Sequence, residues 1–94
     1  MKTVQVVFTI KKEHISEFIQ LTTLNVINSR KESGVLSFHF FQTYKDSSSF
    51  ILLEQYNTIE DQLLHREKEH YKIWKNTIIN FLEKPYEVID LIEM

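Results

Sequence analysis

Residues 35–56 read VLSFHFFQTYKDSSSFILLEQY. Two segments rich in aromatic and branched side chains flank Lys45-Asp46-Ser47-Ser48-Ser49, a run of turn-forming residues, and both alternate with the period of a strand. Leu36, Phe38 and Phe40 oppose Ser37, His39 and Phe41, while Phe50, Leu52, Glu54 and Tyr56 share one side of the second segment. The stretch therefore predicts a β-hairpin. Large side chains stand on both of its faces, Phe40 and Leu52 against Phe41 and Leu53, so the sheet it belongs to needs cover on two sides.

Toward the N-terminus, Val4, Val6, Phe8 and Ile10 alternate with Thr3, Gln5, Val7 and Thr9, a first strand with one face strongly apolar. From Lys12 the period becomes helical through Ile15, Phe18, Ile19, Thr22, Val26 and Ser29, and this helix is expected to stop at Ser33-Gly34, with Gly34 supplying a positive φ. Beyond the hairpin, Thr58 with Asp61 three residues later opens a short helix through Ile59, Leu63 and Leu64. A charged bend at Arg66 to Glu69 separates it from a second helix carrying Tyr71, Ile73, Trp74, Thr77, Ile78 and Phe81, which Pro85 is expected to end. Tyr86 to Ile92 alternates as a last strand.

The order β-α-β-β-(α)α-β predicts an α+β domain spanning residues 1–94, with a ferredoxin-like split βαβ antiparallel sheet and helices on one face. The other face is left uncovered, which leads us to expect a homodimer of sheets packed face to face, a dimeric α/β barrel. A chain of 94 residues buries a small share of its surface by itself, and a partner would add to that burial.

Composition narrows the function classes. No cysteine is present, which removes disulfides, thiolate metal sites and thiol nucleophiles. Eleven basic against thirteen acidic side chains, with no uninterrupted Lys/Arg block, argue against a nucleic-acid partner. No run approaches the ~20 apolar residues of a membrane span, and the first ten residues lack a signal-peptide pattern, so no membrane partner and a cytoplasmic location are expected. One glycine cannot build a phosphate-binding loop, which makes a nucleotide cofactor unlooked for.

Several polar residues fall where apolar ones would pack. Asn25 and Ser29 lie on the inward stripe of the first helix; Asn25 either satisfies backbone inside the core or lines a pocket. Glu54 stands in the apolar row of Phe50, Leu52 and Tyr56, where it is either paired at the sheet edge or perturbed in a pocket. His65 and His70 bracket the charged bend and are either interface histidines or a general acid/base. A metal site is not expected, since ligand histidines on a helix usually stand at i, i+4 and no third His or carboxylate follows at a matching interval. Trp74, Phe18, Phe40, Phe81 and Tyr71 would give a cavity between helices and sheet an aromatic lining.

The run Asn25-x-x-x-Ser29-Arg30-x-Glu32-x-Gly34, then Phe38, Gln42, Asp46, Phe50-x-Leu52-x-Glu54-x-Tyr56, then His65-x-x-x-x-His70-Tyr71-x-x-Trp74 and Pro85, resembles the antibiotic-biosynthesis-monooxygenase family of dimeric ferredoxin-like proteins over nearly the whole chain. The resemblance implies a pocket in each subunit for a small molecule and a cofactor-independent monooxygenase acting on a phenolic or quinol-type compound. On that basis His65 or His70 would move the proton, Asn25 would hold a developing oxyanion, and Phe40, Glu54, Tyr71, Trp74 and Ser29 would contact substrate. The phospho-autoinducer-2 processing isomerase is similar in Asn25, Ser29, Glu32, Gly34, His65, His70, Tyr71 and Lys72, implying keto-enol isomerisation of a small phosphorylated hydroxy-dione as the alternative. A non-enzymatic dimeric ligand-binding protein is the third possibility. Haem-degrading relatives carry an Asn on the first strand, where this chain has only Gln5, and Ser47 follows Asp46 where a Pro is often found.

Overall fold

The computed structural model describes residues 1–94. Strand β1 (Lys2–Thr9) leads through a 3-10 turn into helix α1 (Ile15–Arg30). The hairpin β2 (Val35–Gln42) and β3 (Ser49–Tyr56) follows, then α2 (Ile59–Glu67), α3 (Glu69–Ile78) and β4 (Glu87–Leu91). All pairings are antiparallel in the order β2-β3-β1-β4, as the ferredoxin-like pattern requires. The three helices pack against one face.

Register explains which residues become core. Val6 lies opposite Leu52, and Leu52 opposite Phe40, so the inward rows of β1, β2 and β3 fall on the same side. Val4, Val6, Phe8, Phe38, Phe50, Leu52 and Tyr56 meet Phe18 and Val26 of α1 and Trp74 and Ile78 of α3 in one continuous apolar cluster. Each fully buried large side chain in such a cluster contributes about 1.5–3 kcal/mol over leaving it in water. In the hairpin turn, Asp46 Oδ1 accepts from the backbone N–H and hydroxyl of Ser48, at 3.0 and 2.7 Å, so a side chain closes the turn without proline.

Five expectations are corrected. Gly34 has no positive φ, and α1 already ends at Arg30; glycine is needed because a Cβ at Gly34 would stand 2.5 Å from Asp61 Cγ, at the start of α2. Leu36 sits at a register irregularity between Val35 and Ser37 and is about half exposed, outside the Phe38 row. Helix α2 is capped as expected, Thr58 Oγ1 accepting from the Asp61 N–H at 3.1 Å. Its inward residues, however, are Gln62 and His65, with Ile59, Leu63 and Leu64 outside, because the chain enters α2 with its polar side toward the sheet. Helix α3 passes into a 3-10 turn at Ile79–Phe81 and is over before Pro85; a bridge between Ile10 and Leu82 ends it. Strand β4 pairs only with β1 and is exposed throughout, since no helix reaches over it.

The Gly34–Asp61 contact is a testable constraint. Gly34→Ala should lower stability by about 1–3 kcal/mol, the usual cost of overpacking a closed contact, because the clash includes Asp61 Cβ and not only the tip of a flexible side chain. Urea denaturation reads this directly, and an unchanged midpoint would show that the loop yields freely.

Candidate active site

A cavity of about 490 Å³ lies between the inner face of β1, β3 and β4 and the helices α2 and α3. Val4, Val6, Phe8 and Val88 form its floor, Trp74, Tyr71 and His65 its helical wall, and Tyr86 stands beside β4. The cavity exists because β4 extends the sheet beyond the helices, so the strand floor continues where the helical cover stops.

Glu54 projects into this space from β3 and is 8% exposed. Desolvation raises its pKa from 4.5 to about 7; the hydrogen bond from Tyr56 and the positive charge of Arg66 oppose that rise without cancelling it. Tyr56, two residues on and therefore on the same strand face, donates to Glu54 Oε1 at 2.5 Å. Burial, with the nearby carboxyl, also pushes the Tyr56 phenol up, and burial does the same for Tyr71, so both phenols are donors at neutral pH.

His65 is 2% exposed and rings of Phe38, Tyr56 and Tyr71 surround it at 5.4, 5.6 and 5.0 Å. Desolvation lowers its pKa, with the Glu32 carboxylate pulling the other way, so the ring is neutral around pH 7. Its Nδ1 lies 2.8 Å from Glu32 Oε2. A carboxylate only accepts, so the single proton sits on Nδ1, and Nε2 keeps a lone pair with no partner in the chain, on a ring that lines the cavity.

Three cationic side chains, Arg66, Lys72 and Lys75, also line the cavity. Lys72 reaches Glu67 at 3.5 Å on the surface, whereas no ion pair of the chain uses Arg66 or Lys75. Lys75 lies 5.9 Å from the Tyr71 ring centre and 5.7 Å from that of Tyr86, and the Tyr86 phenol beside it holds its pKa above the ordinary lysine value.

The expected site residues divide into groups. His65, Glu54, Tyr71 and Trp74 meet in the cavity. Trp74 also borders a smaller cavity of about 200 Å³ between α1 and α3, where Asn25 and His70 are found, and its indole N–H donates to Thr22 Oγ1 at 3.0 Å. Ser29 is wholly buried and donates to the Asn25 carbonyl at 2.7 Å, a bond internal to α1. Phe40 is stacked on Phe50 at 5.5 Å and meets Phe18 at 5.8 Å, away from the cavity. Arg30, beside Ser29 in the family motif, donates to the Phe38 carbonyl at 2.9 Å and does not line the cavity.

No third His or carboxylate stands at a matching interval in the sequence, but the turn after α1 brings Glu32 to both rings from more than thirty residues away. Glu32, His65 and His70 place three donor atoms within 4.8 Å of one another, and they are the residues of this chain that could hold a metal. As they stand they form hydrogen bonds: one oxygen, Oε2, receives both rings at 2.8 Å, whereas ligands about 2.0–2.2 Å from a shared ion would stand farther apart. Sequence reasoning gave no role to Glu32, Tyr56, Gln62, Lys75 or Tyr86. Tyr56 was accessible to it, since a residue two places from Glu54 on a strand shares its face.

The raised Glu54 pKa has a sign. The folded state holds this proton more tightly than the unfolded chain, so the contribution of Glu54 to stability is undiminished below pH 4.5, falls as pH rises from there to about 7, and stays low above. The full span is about 3 kcal/mol. Urea denaturation at pH 5 and pH 8 should show Glu54→Gln losing less stability than the parent over that interval; parallel losses would mean that Glu54 ionises normally.

The sequence pattern of the family described as Antibiotic biosynthesis monooxygenase matches residues 1–77. No curated protein matches the chain. Among solved structures, one named "Putative antibiotic biosynthesis monooxygenase from Nitrosomonas europaea" is 26% identical with a TM-score of 0.96, over 100% of this chain and 99% of that one. Rv0793 from Mycobacterium tuberculosis is 22% identical with a TM-score of 0.92, over 99% of this chain and 94% of the other. PA3566 from Pseudomonas aeruginosa is also 22% identical at 0.92, over 99% and 93%. The last two likenesses speak to fold alone.

Proposed function

We propose that this chain, which belongs to the antibiotic biosynthesis monooxygenase family, is a cofactor-independent monooxygenase acting on a small phenol or quinol in the cavity between sheet and helices. The observation that carries the reading is the neutral His65 ring with a bare Nε2 in the same cavity as Glu54, a carboxyl close to half protonated at pH 7. One group takes a proton and the other gives one at the same pH.

His65 Nε2 removes the substrate hydroxyl proton, and the positive charges of Arg66, Lys72 and Lys75 favour the resulting anion. Electron density passes to the ring carbon, which forms a C–O bond with molecular oxygen, and the peroxide takes up the proton that His65 removed. His65 Nε2 then takes the remaining C–H proton as the O–O bond breaks, hydroxide leaves as water with a proton from the Glu54 carboxyl, and the proton on His65 returns to Glu54. Phenol and dioxygen thus become quinone and water, with oxygen the oxidant and the ring carbon oxidised. Tyr71 and Trp74 hold the ring plane.

The cationic lining supports a second reading, an isomerase of a small phosphorylated hydroxy-dione, since His65 and Glu54 can equally move a proton between two carbons through an enediol. A passive ligand-binding protein has no use for a carboxyl held at about pH 7, and that weighs against it. The homodimer belongs to the same proposal. Val7, Phe41, Ile51, Leu53, Ile89 and Leu91 share the sheet face that no helix covers, and a second copy of that face fits it best.

Oxygen consumption by metal-stripped protein against a panel of quinols and polyphenols tests the chemistry. Uptake should occur and fall about a hundredfold or more in His65→Gln. No uptake with any compound, joined to solvent-deuterium exchange into an enolisable phosphorylated ketone, would overturn the monooxygenase reading in favour of the isomerase. For the assembly, the protein should sediment as a dimer at micromolar concentration and the Phe41→Glu/Leu53→Lys variant as a monomer; a monomeric parent would refute the dimer.

A further inference from the structure

Glu32 lies in the turn between α1 and β2, its side chain only 11% exposed, and the chain fixes its place closely. Its backbone N–H donates to the Ser29 carbonyl at 3.1 Å, its carbonyl accepts from Val35 at 3.1 Å, and the next step of the turn is held by Gly34 against Asp61 and by the Asn57 N–H on the Gly34 carbonyl at 3.0 Å. Oε2 is thereby delivered to His65 Nδ1 and His70 Nε2 together.

His70 meets an oxygen on each side. Its Nε2 is 2.8 Å from Glu32 and its Nδ1 is 3.0 Å from Asn25 Oδ1, while Asn25 Nδ2 is buried with no partner at all. With the amide in that orientation both His70 nitrogens face an oxygen acceptor and the amide nitrogen faces none. Oxygen and nitrogen of a carboxamide occupy interchangeable positions, and turning the Asn25 amide over gives the orphaned Nδ2 an acceptor, His70 Nδ1. His70 then donates through Nε2 to Glu32, as His65 does through Nδ1. All the hydrogen bonds run one way, from Asn25 to His70 to Glu32, and Glu32 receives two N–H groups.

We propose that Glu32, backed by His70 and Asn25, is a positioning residue that locks His65 in the Nδ1–H tautomer and so keeps its Nε2 bare toward the cavity. This rests on the reading of His65 as the proton acceptor, and it moves Asn25 and His70 from contact with substrate to the ordering of the base. Without the carboxylate, a neutral imidazole distributes its proton over both nitrogens, and each molecule with Nε2–H presents a donor where the reaction needs a lone pair. Asn25 matters because an amide donor at Nδ1 forces the His70 proton to Nε2, the side that faces Glu32.

Long-range proton–nitrogen correlation spectra of the ligand-free protein, labelled with 15N at histidine, read the tautomers without any assay. The parent should show His65 as Nδ1–H and His70 as Nε2–H. Glu32→Gln should convert His65 to a mixture of tautomers, and Asn25→Asp, which is isosteric and puts an acceptor at Nδ1, should add a second N–H to His70 while His65 stays as it was. A parent His65 with Nε2–H, or a Glu32→Gln protein whose His65 remains wholly Nδ1–H, would overturn the proposal. In the oxygen assay, Glu32→Gln should lower kcat about tenfold or more with little change in KM. If no turnover is found but the tautomers move as stated, the positioning role stands and the monooxygenase reading fails.

Discussion

A carboxylate inside a protein must be met by donors, and this fold is organised around meeting one. Removing Glu32 from water costs several kcal/mol unless N–H groups replace its hydration. Those groups come from α2 and α3, on either side of Lys68, whose ψ of 142° breaks the helix. On one unbroken helix, residues five apart would diverge by roughly 140° at 3.6 residues per turn. The break at Lys68 is what allows His65 and His70 to converge on a single oxygen. The α1–β2 turn and both short helices are thereby tied at one polar node, with Asn25 at its outer end, and the wedge beside the node is the cavity.

The fold was legible because its signals are local. Alternation in Val4 to Ile10 and in Phe50 to Tyr56 marks the strands, and Thr58 with Asp61 marks the start of α2 through a cap that acts across three residues. The candidate site was legible where a polar residue interrupted an apolar period, as Asn25 on α1 and Glu54 on β3 do, both buried as the pattern required, and where His65 and His70 bracketed the charged bend. Glu32 interrupts nothing, since it lies in a turn where charge is ordinary, and its role arises only when the chain folds back on itself. The same holds for Lys75 and Tyr86, which meet across the end of α3 and the start of β4. Helix α2 misleads for another reason. Its apolar residues face outward and its polar ones inward, so periodicity alone assigns the wrong face.

Glu54 shows what this arrangement costs the chain. A carboxyl in the row of Phe50, Leu52 and Tyr56 loses stability when it ionises, and Leu or Met there would pack without that loss. Tyr56 supplies one hydrogen bond, enough to satisfy an oxygen and too little to restore an ordinary carboxylate pKa. Local rules of packing are broken in this way mainly at sites of function, where a group is kept for its chemistry at the expense of the core. The cavity beside Glu54 fits the same account: extending the sheet past its helices leaves β4 exposed and the space under it unfilled, a poor arrangement for a stable core and a suitable one for admitting a small molecule to two titrating groups.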